Sequence, residues 1–340
     1  MFVGGQTDPI WTRIFGAFGS SPFTLTQAHM LGFTRAQLRT AERRGLVARM
    51  QRDSYVLPGF SETAPAARDG HVQRCRVVAL AAPGSVISHE SAALLHGLTS
   101  GRPSLAPDND RVHVTIHKTH RSDATLYDVS SSRLPPDHIV NVDGLLVTSV
   151  ARTALDLARR NRLPFGQAPV DAAARMIIAR NLTDGEDPPP LRESVQAPAH
   201  RNRAIQELWT TADHMRGFAG IAYAREAIDL CEPASESALE SVSRWQMLHA
   251  GVPLPGIGTL VRGASGLAYY ADFLWEEFML IGEADGEGKY TDRRVLVAEK
   301  YREDDLRAAG WNFVRWNWHE AAREPHLMLD KLAMAFRVAD

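Results

Sequence analysis

The sequence predicts an α/β protein, α+β overall, built from more than one domain. The chain has 340 residues, which is longer than one average domain. Short apolar runs that alternate like strands are mixed with longer segments of helical periodicity. The charge is divided unevenly, because residues 1–60 carry seven arginines against three acids, whereas residues 230–300 carry eleven acids against six lysines and arginines. This division favours polyanion binding at the basic end and cation binding at the acidic patch.

The composition is that of a globular protein with an ample core. Apolar residues make up 44% of the chain, and the mean hydropathy is −0.22. No stretch approaches the ~20 apolar residues that a membrane span needs, and the first residues lack the basic start and apolar run of a signal peptide. Cys75 and Cys231 offer neither a disulfide framework nor a metal-ligand spacing. We therefore expect a cytoplasmic protein with no membrane partner.

Residues 1–65 are predicted to form a winged helix-turn-helix domain. A first short helix ends near Gly32, and Thr34 is a suitable N-cap for the second, TRAQLRTAERRG, which stops at Gly45. The segment LVARMQRDSYVL then alternates like a β-hairpin. Two short helices followed by such a hairpin are the winged-helix arrangement.

Five arginines of this domain are predicted to contact double-stranded DNA. Arg35, Arg39 and Arg43 lie on adjacent turns of the second helix, and Arg49 and Arg52 lie on the hairpin. This spacing suits phosphates or base edges in a major groove. The alternative is an ordinary solvated basic helix.

Residues 66–182 are predicted to form a second, mixed α/β domain. The segments SHESAALLHGL and VHVTIH have the patterns of a helix and a strand, and VDGLLVTSVARTALDLA has those of a strand followed by a helix. Residues 183–200, TDGEDPPPLRESVQAPAH, have the composition of a linker. Residues 201–340 are predicted to be a helical lead-in and a last α/β domain.

The last domain contains a candidate carboxylate cluster. YADFLW and FMLIGEAD are two strand-like runs, and a turn at Glu276 and Glu277 places Asp272 opposite Ile281 and diagonal to Glu283. Diagonal neighbours are ~7–8 Å apart, near enough for both carboxylates to share a metal ion. Alternation puts Asp285 on the same face as Glu283. Upstream, the amphipathic helix SESALESVSRWQML carries Glu236 and Glu240 one turn apart, and either of them can point into the cluster.

This arrangement predicts a Mg²⁺ site with ligands Asp272, Glu283, Asp285 and Glu240, because Mg²⁺ prefers hard oxygen ligands. Such an ion polarises a phosphate and helps to generate the attacking hydroxide. Asp272, Glu283 and Lys289 are the candidate catalytic residues, with the lysine offsetting the charge that develops on the phosphate. The alternative is a surface hairpin beside a Glu240–Arg244 helical ion pair.

Further elements complete a small core. VAEKYREDDLRAAG predicts a helix, WNFVRWNW a strand and PHLMLDKLAMAFRV an amphipathic helix. Strand, helix, strand and helix around a small sheet are what a restriction-endonuclease-like core requires. Arg302, on the first of these helices, is predicted to pair with nearby acids.

Several segments together resemble a known family. The N-terminal helices, SHESAALLHGL, VHVTIHKTHR, RLPPDHI and VDGLLVTSVARTALDLA resemble the AbiEi-type antitoxins of type IV toxin–antitoxin systems in their actinobacterial form. The tail, SESALES, YYADFLW, IGEADGEGKY and AEKYREDDLRAAGWNFVRW, resembles Vsr-like endonuclease domains of the PD-(D/E)xK type. The resemblance implies a DNA-binding antitoxin or transcriptional regulator, with a cognate toxin gene product as a partner.

One departure leaves two hypotheses open. The PD-(D/E)xK pattern has a lysine two residues after the second acid, where this chain has Asp285. Vsr-like domains also lack that lysine, so catalysis is not excluded. One hypothesis is a regulator whose endonuclease-like tail is a scaffold. The other is an active Mg²⁺-dependent DNA endonuclease that its N-terminal domain targets.

Overall fold

The computed structural model describes residues 9–19, 22–51, 53–56, 64–99, 111–116, 127–182, 189–286 and 293–339. These residues fall into two compact units by their contacts. The N-terminal unit is drawn from Met1–Gly97 and Ser104–Ser149, and the C-terminal unit from Leu98–Pro103 and Val150–Asp340. The division into three domains stays a prediction.

The N-terminal unit combines helices with two small sheets. Its helices are α1 (Pro9–Phe18), α2 (Leu25–Met30), α3 (Arg35–Arg43), α4 (Ala64–Ala81) and α5 (His89–His96). Its strands are β1 (Phe23–Thr24), β2 (Ala48–Gln51), β3 (Ser54–Val56), β4 (Val86–Ile87), β5 (Val112–Ile116), β6 (Tyr127–Ser131), β7 (Ile139–Val142) and β8 (Leu145–Thr148). One sheet has the order β1-β3-β2 and the other the order β6-β5-β4-β8-β7.

Two capping boxes define the starts of α2 and α3. Thr24 and Thr34 each accept a hydrogen bond from the backbone N–H three residues on, and the glutamine there accepts one from the backbone N–H of the threonine. Each box satisfies two backbone donors that a helix start leaves unpaired. The predicted N-cap at Thr34 is therefore confirmed.

The expected hairpin is also present. Strands β2 and β3 pair antiparallel, and the two-residue strand β1 adds a third member to the sheet. Strand β1 is too short to show periodicity in the sequence. On α3, Leu38 and Ala41 face a core that includes Phe23 and Tyr55.

The C-terminal unit begins with a helical part and ends in a sheet with helices. Its helices are α6 (Val150–Asn161), α7 (Gln167–Leu182), α8 (Leu191–Ser194), α9 (Pro198–His214), α10 (Ile221–Asp229), α11 (Ala238–His249), α12 (Arg293–Ala308) and α13 (Pro325–Ala339). Its strands are β9 (Gly256–Arg262), β10 (Ala268–Trp275), β11 (Leu280–Asp285) and β12 (Asn312–Asn317). The described part of the predicted linker, residues 189–200, contains α8 and the start of α9.

The four strands form one sheet in the order β12-β11-β10-β9. Strands β11 and β12 are parallel and are connected through α12, whereas the other neighbours are antiparallel. In the β10–β11 pair, Phe273 lies opposite Gly282 and Leu274 opposite Ile281. Continuing this register places Asp272 level with Glu283.

The predicted register of this hairpin was wrong by two residues. Asp272 does not lie opposite Ile281, because the connection is longer than Glu276 and Glu277. Residues Glu276–Phe278 form a 3-10 turn, and Met279 adopts a left-handed conformation with φ 43° before β11 begins. The correction brings Asp272 and Glu283 closer together than the diagonal arrangement.

Helices cover both faces of this sheet. On one face Leu306 of α12 packs with Leu274 and Ile281. On the other face the Trp316 indole Nε1 donates to Ser243 Oγ of α11 at 2.7 Å. Gly282 lies between these layers, and a Cβ there would be 2.7 Å from the Trp316 ring. A side chain at position 282 would therefore require the neighbouring tryptophan rings to move.

A buried ion pair stabilises the helical part of the C-terminal unit. The Asp156 carboxylate contacts Arg152 Nε and Arg159 Nε, each at 2.8 Å, and the side chains of Arg152 and Asp156 are fully buried. The Arg152 guanidinium also lies over the Phe218 ring, 5.3 Å from its centroid. Arg152 and Arg159 lie four residues before and three residues after Asp156, so the three side chains meet on one side of α6.

The two cysteines are buried, Cys75 in the N-terminal unit and Cys231 in the C-terminal unit. Burial raises the pKa of the Cys75 thiol to about 12, and burial with the nearby charge of Asp171 raises the pKa of Cys231 well above its usual value. Within the described ranges, none of the helices has the length and apolar character needed to cross a membrane.

Candidate functional site

Three carboxylates from three elements converge in the C-terminal unit. Glu240 lies in the first turn of α11, Asp272 in β10 and Glu283 in β11. Glu240 is 6% exposed and Glu283 is 7% exposed, whereas Asp272 is half-buried. The backbone N–H of Ala284 donates to Asp272 Oδ2 at 2.9 Å, which holds Asp272 against β11.

The electrostatics show that these carboxylates act on one another. Burial and the negative charge of Asp272 raise the pKa of Glu240 to about 7. Burial and the same charge raise the pKa of Glu283 to about 7, although Arg302 acts in the opposite direction. Like charges crowded in a site of low dielectric favour either protonation or a bound cation.

One oxygen of each buried glutamate is held by a defined donor. Glu240 Oε2 accepts the backbone N–H of Glu236 at 2.8 Å, and Glu283 Oε1 accepts a hydrogen bond from Arg302 Nη2 at 2.8 Å. The Ser237 side chain also hydrogen-bonds to the Glu240 carboxylate. Among the described residues, Arg302 is the side chain that donates to Glu283, so Glu283 Oε2 remains available to a hard cation.

The donor set fits Mg²⁺, which takes carboxylate oxygens and keeps several waters. Glu240, Asp272 and Glu283 are the residues that would hold it. Within the described part of the chain, however, these side chains do not bring three oxygens within 4.8 Å of one another.

Two arginines face the cluster from α12 and β12. Arg302 contacts Glu283 and also Glu299, one turn before it on α12. Arg315 contacts Glu299 and Glu303 at 3.4 and 2.9 Å, and its Nη1 lies 3.7 Å from Asp285. Positive charge thus reaches this side of the cluster from a neighbouring helix and strand.

A third arginine lies beside Asp272. Arg192 of α8 makes a two-point contact with Glu236, both bonds 2.9 Å, and its guanidinium lies 4.6 Å from the centroid of the Tyr270 ring. Hydrogen bonding to Glu236 and the nearby Tyr270 and Asp272 raise the pKa of Arg192. Since Arg192 is 46% exposed, it presents positive charge to solvent near Asp272.

The other predicted site residues have different positions. Asp285, at the place of the pattern's lysine, is half-buried and faces Arg315. Lys289 lies outside the described residues. The alternative of a Glu240–Arg244 ion pair on a surface is wrong, because Glu240 is buried and Arg244 Nη1 donates instead to the backbone oxygen of Leu230 at 2.6 Å.

The predicted DNA-contacting arginines of α3 lie on its exposed side. Arg35, Arg39 and Arg43 are all exposed, and they lie opposite the buried Leu38 and Ala41. Arg35 pairs with Asp53 of the hairpin at 3.0 Å, and Arg43 Nη2 donates to Thr40 Oγ1. Arg49 is exposed on β2, whereas Arg52 lies outside the described residues.

Some residues of the cluster were not identified from the sequence. The Glu299–Arg302 pair follows from helical spacing, since the two residues are three apart. The Arg302–Glu283 contact depends on the crossover from β11 through α12 to β12, and the Arg192–Tyr270 contact joins residues far apart in the chain. No local signal predicts either contact.

Comparison with known proteins supports part of the resemblance. Residues 84–205 match the model of a family described as the AbiEi antitoxin C-terminal domain. This segment is therefore similar to a domain of antitoxins, and it ends before the carboxylate cluster begins.

Two mycobacterial proteins are similar over a longer stretch. Over 192 residues the chain is 28% identical to an uncharacterised protein of Mycobacterium tuberculosis (strain CDC 1551 / Oshkosh), which covers 56% of this chain and 62% of the relative. An uncharacterised protein from a second strain of that species has the same identity and coverage. The chain thus spans less than two thirds of the length of these relatives.

Proposed function

We propose that this protein is a DNA-binding regulator of the antitoxin type. The observation that carries the proposal is the exposed arginine row of α3, beside the β2–β3 hairpin, in a chain whose residues 84–205 match an antitoxin domain. The order of α2, α3 and the β2–β3 hairpin along the chain is the order that a winged helix requires, which supports this proposal. In that arrangement the second helix enters the major groove.

The charges of the described residues support this role for α3. Arg35, Arg39 and Arg43 are spaced by four residues, so their guanidinium groups follow one side of the helix. Arg39 has no ion-pair partner among the residues that the structure describes. Arginine forks bind phosphate oxygens in two-point contacts and also recognise guanine edges.

DNA binding by full-length protein tests the proposal. Fluorescence anisotropy with duplex DNA from upstream of the gene, at several salt concentrations, gives both the affinity and its salt dependence. An Arg39→Ala, Arg43→Ala double variant is expected to bind more weakly, with the slope of log K against log salt reduced by about 0.9 per lost phosphate contact. Arg216→Ala, an exposed position of the C-terminal unit, is the control.

Equal binding by the double variant and the wild type would reject α3 as the DNA-contacting helix.

A toxin is the second partner that the antitoxin similarity suggests. If a neighbouring gene encodes it, expression of that gene is expected to arrest growth, and co-expression of this protein is expected to relieve the arrest. Arrest that persists during co-expression would argue against the antitoxin role.

We propose a Mg²⁺-dependent DNA endonuclease activity as the second candidate. The observation that favours it is the convergence of Glu240, Asp272 and Glu283 from three elements, with Glu283 Oε2 receiving no hydrogen bond from the described residues.

In this activity the residues of the cluster have different roles. Asp272 and Glu283 hold the site from adjacent strands, and Glu240 closes it from α11. Bound Mg²⁺ supplies polarisation of the phosphate and a water of lowered pKa. Arg192 is exposed beside Asp272 and is placed to bind a neighbouring phosphate.

Cleavage of plasmid and single-stranded DNA with Mg²⁺ or Mn²⁺ tests this activity. The wild type is compared with Asp272→Ala and Glu283→Ala. Metal-dependent cutting that both substitutions abolish would support the endonuclease. Absence of cutting by folded, DNA-binding wild-type protein would leave the regulator as the function.

A further inference from the structure

The hydrogen bonds of Arg302 fix the orientation of Glu283. Arg302 Nη2 donates to Glu283 Oε1 at 2.8 Å and to Glu299 Oε1 at 2.8 Å. Its Nε donates to Glu299 Oε2 at 3.0 Å. Two nitrogens therefore hold both oxygens of Glu299, and this two-point contact fixes the plane of the guanidinium group.

Both partners of the contact are shielded from water. The Arg302 side chain is 16% exposed and the Glu283 side chain is 10% exposed. A charge-assisted hydrogen bond is stronger when its groups are shielded from water. Since Arg302 binds Oε1, Glu283 retains Oε2, which no donor among the described residues contacts.

We propose that Arg302 is a positioning residue for the divalent cation site. It holds Glu283 by Oε1 and so presents Oε2 to the cation that Glu240 and Asp272 share, while Glu299 orients Arg302. This inference rests on the second proposed function.

The arginine side chain suits this role better than lysine. A guanidinium group contacts Glu283 and Glu299 at once in a fixed geometry, whereas an ammonium group is a point charge on a flexible stem. Residues that orient a metal ligand in this way typically change metal affinity by about 10–100-fold when they are replaced. Metal binding is therefore the property to measure.

Mn²⁺ binding to the full chain, measured by titration calorimetry at about pH 8 where the glutamates are ionised, tests the proposal. Arg302→Gln is expected to lower Mn²⁺ affinity by about 10–100-fold, and Arg302→Lys is expected to fall between it and the wild type. Arg307→Gln is the matched control on the same helix, because Arg307 contacts Glu303 and not Glu283. Its Mn²⁺ affinity is expected to equal that of the wild type.

Thermal unfolding of each variant separates positioning from a purely structural role. If Arg302 has only a structural role, its replacement lowers the melting temperature but leaves the Mn²⁺ affinity of the folded protein unchanged. Mn²⁺ affinity of Arg302→Gln equal to that of the wild type, or tighter because Arg302 itself stands in the cation's place, would overturn the proposal. If Arg302→Gln does not fold, Arg302→Lys decides by the same criterion.

The experiment also distinguishes failure of the site from failure of the inference. If wild-type protein binds no Mn²⁺, both the cation site and the role of Arg302 are rejected. If the wild type binds Mn²⁺ and Asp272→Asn abolishes this binding, the site stands. Unchanged binding by Arg302→Gln would then reject Arg302 alone.

Discussion

The guanidinium group of Arg35 contacts the carboxylate of Asp53 at 3.0 Å, so the first residue of α3 is tied to the tip of the β2–β3 hairpin. Both side chains are about half exposed, at 54% and 42%. This pair therefore places a negative charge on the surface that is proposed to meet DNA. It also occupies one of the arginines proposed to bind phosphate.

Replacing Asp53 is expected to strengthen DNA binding. Asp53→Asn removes the charge, and asparagine tolerates the left-handed conformation of this residue, φ 63°. Since an exposed ion pair contributes roughly 0.2–1 kcal/mol, the affinity for duplex DNA is expected to rise by up to about fivefold. Anisotropy titration checks this, with Arg35→Ala expected to move the affinity in the opposite direction. Weaker binding by Asp53→Asn would show that the pair is needed to hold the hairpin.

The stability of the metal-free protein is expected to fall as pH rises from about 4.5 to 7. Glu240 and Glu283 have pKa values of about 7 in the folded state against 4.5 ordinarily, so the folded state binds more protons than the unfolded state in this range. The free energy of unfolding then decreases with pH. The stabilisation is complete below the unfolded pKa and is lost as pH passes the folded pKa.

Urea unfolding with a chelator at about pH 5.5 and about pH 8 measures this change, which is expected to be on the order of 2 kcal/mol per carboxyl. A Glu240→Gln, Glu283→Gln variant is the control, because its unfolding free energy should depend less on pH in this range. Added Mg²⁺ is expected to stabilise the wild type more at the higher pH. An equal pH dependence in both proteins would contradict the raised pKa values.

Removing one partner of the buried ion pair of α6 is expected to be strongly destabilising. Asp156→Ala leaves Arg152 as a buried cation without its carboxylate, which typically costs about 3–5 kcal/mol. Chemical denaturation measures this loss as a change in the free energy of unfolding of the C-terminal unit. Arg216→Ala, which breaks an exposed pair with Asp213, is expected to cost at most about 1 kcal/mol. Similar losses in both variants would show that burial does not distinguish the pairs.

A methyl group at position 282 is expected to disturb the sheet. In Gly282→Ala the new Cβ would lie 2.7 Å from Trp316 and 2.9 Å from Trp275, and such overpacking typically costs about 1–3 kcal/mol. Gly286→Ala is the control, because a Cβ there has no neighbour within 4 Å among the described residues. Tryptophan fluorescence during thermal unfolding reports the loss. Equal melting temperatures for the two variants would show that the tryptophan rings move aside freely.

The sequence predicted best those features that depend on neighbouring residues. The N-cap at Thr34 is set within one turn of helix, and it is present. Hydrophobic periodicity likewise predicted β10, β11 and β12 and the helices beside them, whereas β9 of the same sheet was not predicted. The two-residue strands β1 and β4 are too short for periodicity, so they were missed.

Features that depend on loop geometry or on the β11–α12–β12 crossover were harder to predict from the sequence. The register of β10 and β11 depends on the left-handed Met279, a residue whose type gives no signal for that conformation. The contact of Arg302 with Glu283 exists only after α12 has packed on the sheet. Glu240, Asp272 and Glu283 each lie on an element with clear periodicity, which is why the sequence could suggest them as neighbours; their role as metal ligands stays a prediction.

Each unit contains one buried cysteine, and the reactivity of that thiol reports the transient opening of the unit. Cys75 and Cys231 lie in different units, and burial with a raised pKa keeps both thiols unreactive in the folded state. Alkylation of each thiol therefore requires a local or global opening of the fold. The alkylation rate measures the free energy of that opening. Mass spectrometry of the two peptides would follow both units in one sample, without an added label. DNA that protects only Cys75, or a divalent cation that protects only Cys231, would show which unit each ligand stabilises.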